Sequence, residues 1–417
     1  MSIHVLHISS TDVAGGRFNG YAMLQSGIHN DCQHEMAVWH KTSDSPWVHE
    51  LRQGNVRFLN ALSIRITNLL GLDGWLSPAG FTITAQPYFR RADLVHLQVI
   101  HSGSFFSLAS LPRLDRLKPI VWTVHDAWPT TGMCIHSFEC ERWLTGCQGR
   151  CPHPRGNSLL RYYTPAIQWR WKQKIYRELD VTLVVASQWT LKRVQQSPLL
   201  NRLPCELIPF GINLSVFLPR PKTVCRTELG IPENCDVVAF RAGDVSKDTF
   251  KGLVWLKEAL MEYEPQRPTC LLYFDEGKDF DALQGKYILR DMGYIRDETI
   301  LAKILSAADI FLMPSLQESF GVMAIEAMAC GTPVIVADGT SLPDVIHAPL
   351  GGLVVPAKNS TALVGAISQL LDNEEMRHQL GFQARRIAEQ EYSFDLYASR
   401  HLKLYENVIS NNRESIS

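Results

Sequence analysis

Met313-Pro314-Ser315-Leu316-Gln317-Glu318-Ser319-Phe320-Gly321-Val322-Met323-Ala324-Ile325-Glu326-Ala327-Met328-Ala329-Cys330-Gly331-Thr332-Pro333-Val334-Ile335-Val336 reads as one supersecondary unit. An apolar strand over 310–313 runs into a polar loop, then a helix, then a second apolar strand over 334–337. Gly331 stands where a helix C-terminus wants a residue tolerant of positive φ, and Pro333 stops the helix from continuing. Two short apolar strands joined through a helix form a βαβ unit, which implies a parallel sheet. The loop over 315–321 then lies beyond the carboxyl end of a strand and at a helix N-terminus. Open α/β sheets bind ligands there, and the free backbone N–H groups favour phosphate. Glu318 precedes the helix and Glu326 lies within it. Ala324, Ile325, Ala327, Met328 and Ala329 make the helix apolar almost all round. A carboxylate buried there needs a specific partner, and a ligand hydroxyl is one candidate; a solvated helix residue is the alternative.

Working outward, 417 residues exceed one ordinary core, and two domains of roughly 200 residues are expected. Lys plus Arg number 41 and Asp plus Glu 42, so no global field favours nucleic acid or anionic lipid. No apolar run approaches the roughly 20 residues of a membrane span. The N-terminal residues lack a basic n-region and a cleavage site, and they read as a first buried strand over 3–8 rather than a secretory signal. After it come Gly15 and Gly16, a turn that brings backbone close to a ligand or simply reverses the chain, and a helical pattern over about 18–28. Further strands are expected over 36–39, 94–98, 120–124, 181–186 and 206–208. The pattern breaks at the Pro/Gly-containing stretch 209–221, where the linker is placed. A second α/β run has strands over 237–241, 271–274, 292–295, 310–313, 334–337 and 353–355, and 392–409 has helical spacing. The expectation is α/β throughout, with two Rossmann-like domains facing across a cleft. These cover 1–215, carrying a Cys-rich insertion over 134–151, and 216–391, with a last helix over 392–417.

Glu318 and Glu326, eight positions apart, resemble the E-x7-E segment of retaining glycosyltransferases of the GT-B fold, family 4. The resemblance extends over nearly the whole chain: the Gly15-Gly16 turn, Val121-Trp122-Thr123-Val124-His125-Asp126, Pro209-Phe210-Gly211-Ile212-Asn213, Lys251-Gly252, and Gly351-Gly352-Leu353-Val354-Val355-Pro356. It implies a last helix that returns to the first domain. It also implies a nucleotide-sugar donor, UDP- or GDP-linked, and a glycan or lipid-linked acceptor in bacterial surface or exopolysaccharide biosynthesis. Charge builds on the departing diphosphate, so fixed cations and helix dipoles stabilise the transition state. Arg241 and Lys251 resemble the family's diphosphate-binding pair; they stand ten residues apart, and Lys247 competes with Lys251. Glu326 is implied as the acceptor of ribose hydroxyls and Glu318 as the partner of donor-sugar hydroxyls. Gly15, Gly16, Ser319, Phe320 and Gly321 are implied to offer backbone on the donor side. Tyr294-Ile295 falls where the family places the nucleobase. His125 would contact the donor sugar or help the leaving group, and Asp126 would orient His125 or bind the acceptor hydroxyl. No covalent carboxylate is assigned, and no divalent metal is implied for catalysis.

Cys134, Cys140, Cys147 and Cys151 fall within 18 residues, and four thiolates there suit a structural zinc; four buried thiols or two disulfides are the alternatives. The basic and aromatic segment 161–177 suits either an anionic bilayer surface or an ordinary domain helix. The expected location is the cytoplasm, with peripheral contact at the inner face of the membrane. Two other functions fit a chain of this kind: a sugar-nucleotide-binding partner subunit without catalysis, and another GT-B enzyme such as an epimerase.

Overall fold

In the computed structural model the chain packs as two compact units, residues 1–208 with 397–417, and residues 209–396. The structure describes residues 2–26, 32–52, 54–72, 75, 77–102, 105–152, 159–243, 245, 250–275 and 278–416.

The first unit is built on a seven-stranded parallel sheet: β1 (Ile3–Thr11), β2 (Cys32–His40), β3 (Val48–Glu50), β4 (Leu94–Leu97), β5 (Ile120–Thr123), β6 (Thr182–Val185) and β7 (Cys205–Leu207), in the order β3-β2-β1-β4-β5-β6-β7. Strands of a sheet covered on both faces read as continuous apolar runs, and Ile120, Val121 and Trp122 are all buried. The chain winds outward from β1 through β2 to β3, then returns to lay β4 on the other side of β1. The carboxyl ends of β1 and β4 therefore flank a topological switch point, where such sheets open a ligand crevice. Around this sheet lie α1 (Tyr21–Ser26), α2 (Gly54–Leu70) and α3 (Pro165–Tyr176).

The second unit has six parallel strands: β8 (Asp236–Arg241), β9 (Thr269–Phe274), β10 (Ile288–Asp291), β11 (Ile310–Met313), β12 (Val334–Ala337) and β13 (Gly352–Val355), in the order β10-β9-β8-β11-β12-β13. Its switch point falls between β8 and β11. Helix α4 (Leu253–Glu262) follows β8, and α5 (Val322–Ala329) joins β11 to β12. Helix α5 starts at Gly321, φ 97°, and ends just before Gly331, φ 75°. Buried Asp309, at the entry to β11, accepts from Lys222 Nζ at 2.7 Å, Arg226 Nη2 at 2.7 Å and the Val237 amide at 2.8 Å. That carboxylate fixes β11 beside β8. The last helix, α6 (Phe394–Ile416), contributes its residues from Tyr397 onward to the first unit, where the Tyr405 hydroxyl lies 2.7 Å from His96 Nδ1.

Three expectations change. The strand expected over 292–295 lies at Ile288–Asp291. Gly293, φ 61°, turns the chain just after it, with its amide donating to Asp291 Oδ1 at 2.8 Å. Tyr294 therefore ends no strand and is 70% exposed. The first helix begins at Tyr21 rather than near Phe18, because Gly15 and Gly20, φ 74° and 94°, keep the intervening residues in turns. Strand β3 was not anticipated, since three residues carry too short a pattern to read.

Candidate active site

In the second unit the loop from β11 to α5 is assembled by close backbone contacts. Gly252, φ 76°, sits where a Cβ would lie 2.1 Å from the Pro314 carbonyl oxygen, so only glycine lets the 250–252 segment approach. The Leu316 amide donates to the Phe250 carbonyl at 2.6 Å. From behind, the Ser341 hydroxyl donates to the Glu318 carbonyl at 3.0 Å. These contacts bring Lys251 beside β8: its Nζ would lie 4.0 Å from a Cβ at Gly243, two residues beyond Arg241. Arg241 and Lys251, ten residues apart in sequence, thus converge on Glu318. Burial pushes the Glu318 carboxyl up to about 7, with the Arg241 and Lys251 charges pulling the other way. Two cations, a carboxylate and the N-terminus of α5 stand together at the switch point. This arrangement suits a diphosphate carrying a hydroxyl-rich group.

The other residues expected on the donor side divide. Glu326 is fully buried within α5. Ser319 and Gly321 lie in the loop itself, whereas the Phe320 ring is buried and packs edge-on against Phe210 and Tyr392 at 5.2 and 5.7 Å. Its side chain is structural, leaving only backbone for a ligand. Lys247 lies outside the described residues. Sequence reasoning missed Asp275, which forms an ion pair with Arg241 Nε and so aims the guanidinium. Its signal was an acidic residue just past the carboxyl end of β9.

In the first unit, Gly15 and Gly16 turn the chain after β1. A Cβ on Gly15 would meet Phe18 Cζ at 2.8 Å, and the Phe18 ring lies 5.5 Å from that of His125. His125 follows β5, and burial holds it down to about 4, so the ring is neutral near pH 7. Asp126 acts on the ring through its charge, but the contact at Nε2 is made by Gln98. His125 Nε2 lies 2.8 Å from Gln98 Oε1, at the end of β4. Asp126 instead contacts His101 Nε2 at 3.1 Å and accepts from the Trp128 amide at 2.8 Å. Burial alone would raise its carboxyl, but the His101 ring and the amide hold it below the usual range. The Trp128 ring stacks on His101 at 4.9 Å and has Lys172 Nζ 3.6 Å from its centre. Buried Lys172 also donates to the carbonyls of Trp128 and Thr131 at 2.6 and 2.9 Å. Gln98 and His101 were missed as site residues, although a polar residue closing the strand 94–97 was the available signal.

No disulfide involves Cys134, Cys140, Cys147 or Cys151. A hydrogen bond with Cys151, then burial, then the other two thiols push Cys134 far up, which places the four near one another. The Gly132 amide donates to Cys147 Sγ at 3.3 Å. Soft sulfur donors of this number suit zinc. Among the described residues, however, no group of three or more His, Cys, Asp or Glu side chains is already disposed to hold a metal ion.

Residues 292–387, from the end of β10 through α5 to beyond β13, match the family described as Glycosyl transferases group 1. Over 216 residues the chain is 32% identical to the D-inositol 3-phosphate glycosyltransferase of Jonesia denitrificans, covering 48% of this chain and 50% of that protein. It is 36% identical over 118 residues to the N,N'-diacetylbacillosaminyl-diphospho-undecaprenol alpha-1,3-N-acetylgalactosaminyltransferase of Campylobacter jejuni, covering 28% and 31%. The chain spans about half the length of the first of these relatives, and less of the second. Among solved structures it resembles sucrose-phosphate synthase of Thermosynechococcus elongatus, with TM-score 0.67 and 18% identity over 99% of this chain and 100% of that one. The Anabaena protein Alr3699/HepE, solved with UDP and glucose, gives TM-score 0.68 and 15% identity over 97% and 99%. The fold is GT-B. At such identities the structural likeness establishes architecture alone, while the sequence relationships run to glycosyltransferases.

Proposed function

We propose that this chain is a retaining glycosyltransferase that moves a sugar from a nucleoside-diphosphate donor to a glycan or lipid-linked acceptor in bacterial surface polysaccharide synthesis. The observation that carries the proposal is the convergence of Arg241 and Lys251 on Glu318 beside the α5 N-terminus. The two cations and the loop amides bind the diphosphate and stabilise the charge that grows on it as the glycosidic bond breaks. Glu318 and Glu326 accept hydroxyl hydrogen bonds from sugar and ribose, a binding role distinct from the acid/base couple of hydrolytic glycosidases. His125 contacts a substrate hydroxyl, and the leaving phosphate takes the acceptor proton. With Arg241 and Lys251 supplying the positive charge, turnover is expected to survive chelation of divalent metal. The test incubates the protein with UDP- and GDP-sugars and lipid-linked acceptors. Nucleotide release only in the presence of acceptor supports transfer. Tight donor binding without turnover would favour a partner subunit, and interconversion of the donor alone an epimerase.

We further propose that the first unit rests on an anionic bilayer surface, at the cytoplasmic face. Helix α2 buries polar Asn60 and Thr67 and exposes Phe58, Leu59, Leu62, Ile66, Leu69 and Leu70, Phe58 and Leu69 by 73% and 76%. At 3.6 residues per turn these six occupy a contiguous arc of about 120°. Exposed Arg65 borders the arc, exposed Arg57 lies about 100° from its edge on the same flank, and the helix carries no acidic residue. Gln168 of α3 donates to the Gly71 carbonyl at 2.8 Å, setting α3 against the end of α2. There α3 buries Trp169 but exposes Ile167 and Trp171. An apolar face bordered by arginine on a helix without acidic residues matches an interfacial helix. Among the described residues no helix is long and apolar enough to cross a membrane. Co-sedimentation with phosphatidylglycerol vesicles, reduced in Leu62→Asp/Leu69→Asp, is expected; no binding by the parent protein would end this proposal.

A further inference from the structure

Beneath the carboxyl ends of β1 and β4 runs a chain of buried polar groups that an apolar core does not call for. His125 Nε2 lies 2.8 Å from Gln98 Oε1. Gln98 Nε2 lies 3.2 Å from His7 Nδ1, and His7 Nε2 3.0 Å from His34 Nδ1. His7 and Gln98 are 0% and 2% exposed, so each contact must be a proper donor–acceptor pair. An amide oxygen only accepts and an amide nitrogen only donates. The chain therefore has a single polarity outward from Gln98. His125 carries its proton on Nε2 and donates it to Gln98. His7 accepts from Gln98 at Nδ1, carries its own proton on Nε2 and donates to His34. Burial keeps both His125 and His7 neutral near pH 7. Backbone presses on the middle of the chain: at Gly20, φ 94°, a Cβ would lie 2.3 Å from His7 Nδ1.

We propose that Gln98, backed by His7 and His34, is a positioning residue that locks His125 as its Nε2–H tautomer. On this assignment any hydrogen bond between His125 Nδ1 and a sugar hydroxyl has the ring as acceptor, and His125 does not protonate the departing diphosphate, because its one proton is committed to Gln98. Asp126 acts on the ring through its charge, while its carboxylate oxygens contact His101 and the Trp128 amide. The proposal rests on the reading of His125 as a substrate-contacting group of a glycosyltransferase.

The test is two-bond ¹⁵N–¹H NMR of the full chain labelled with [¹⁵N]histidine, which distinguishes the two neutral tautomers without any turnover. The parent protein is expected to show His125, assigned by its loss in His125→Asn, as the Nε2–H form. Gln98→Met, close in volume but without polar atoms, is expected to give a mixture of tautomers. It should also lower kcat by about tenfold, the worth of one orienting hydrogen bond, with the donor KM changed by less than about twofold. Gln98→Glu keeps the acceptor for His125 and is expected to retain the tautomer. Should Gln98→Met fail to fold, His34→Ala at the partly exposed end of the chain is expected to shift the His125 tautomer in the same direction, by less. A parent His125 in the Nδ1–H form, or an unchanged tautomer in the variants, overturns the proposal. A locked tautomer in a protein with no transferase activity would instead overturn the functional reading alone.

Discussion

Replacing Glu318 by Gln should stabilise the second unit above about pH 4.5, with the full effect reached at neutral and alkaline pH. Burial pushes the carboxyl from 4.5 to about 7 despite the neighbouring charges of Arg241 and Lys251. At about 1.4 kcal/mol per pH unit, that displacement corresponds to about 3 kcal/mol. The side chain keeps some exposure, and solvent screening brings the expected figure nearer 2 kcal/mol. The folded carboxyl holds its proton between pH 4.5 and 7, where the unfolded one has released it. Stability of the parent protein therefore falls as pH rises through that window, whereas the amide has no such dependence. The advantage of Glu318→Gln should be absent at pH 4, grow between 4.5 and 7, and level off above 7 at about 2 kcal/mol. Native-state hydrogen exchange of the β11 and β12 peptides reads the opening free energy of this unit within the full chain. The same variant should lose turnover, since a carboxylate kept at such a cost is kept for its ligand. A difference that does not vary with pH, or is largest at pH 4, would refute the reasoning.

Gly252→Ala should cost at least about 2 kcal/mol, because φ 76° and the Pro314 carbonyl, 2.1 Å from the new Cβ, penalise it together. Thermal unfolding and donor titration should both show the loss, the latter because Lys251 moves with the loop. Acid should destabilise the first unit. His7, His96, His125 and His401 are all held by burial below their ordinary value, His125 and His401 down to about 4. Their contribution is complete above pH 6.5 and falls toward pH 4 at up to about 1.4 kcal/mol per pH unit for each ring. His401→Phe should flatten the slope of hydrogen-exchange stability in β1 and β4. The zinc assignment for Cys134, Cys140, Cys147 and Cys151 is a proposal from donor chemistry; about one zinc per chain by elemental analysis supports it, and content well below that ends it.

The sequence alone determined the α/β class, most strand positions, and the candidacy of Glu318, Glu326, Arg241, Lys251 and His125. The physical reason is local: apolar strands of parallel sheets, helix-ending glycines and polar strand ends are written in consecutive residues. It misplaced the strand near Tyr294 because the turn at Gly293 decides which side of it pairs with β9. It offered Asp126 as an orienting partner of His125, or as a binder of the acceptor hydroxyl, because the two are adjacent in the chain. Neighbours along a segment leaving a strand diverge, however, and only the sheet order decided otherwise. By laying β4 between β1 and β5, the fold carries Gln98 from 27 positions away to the imidazole and leaves Asp126 to His101. The same holds at Glu318. Its composition was legible, but the carbonyl of Pro314 against a glycine that tolerates φ 76° brings Lys251 within reach. That contact joins residues far apart in the chain, and no local pattern encodes it.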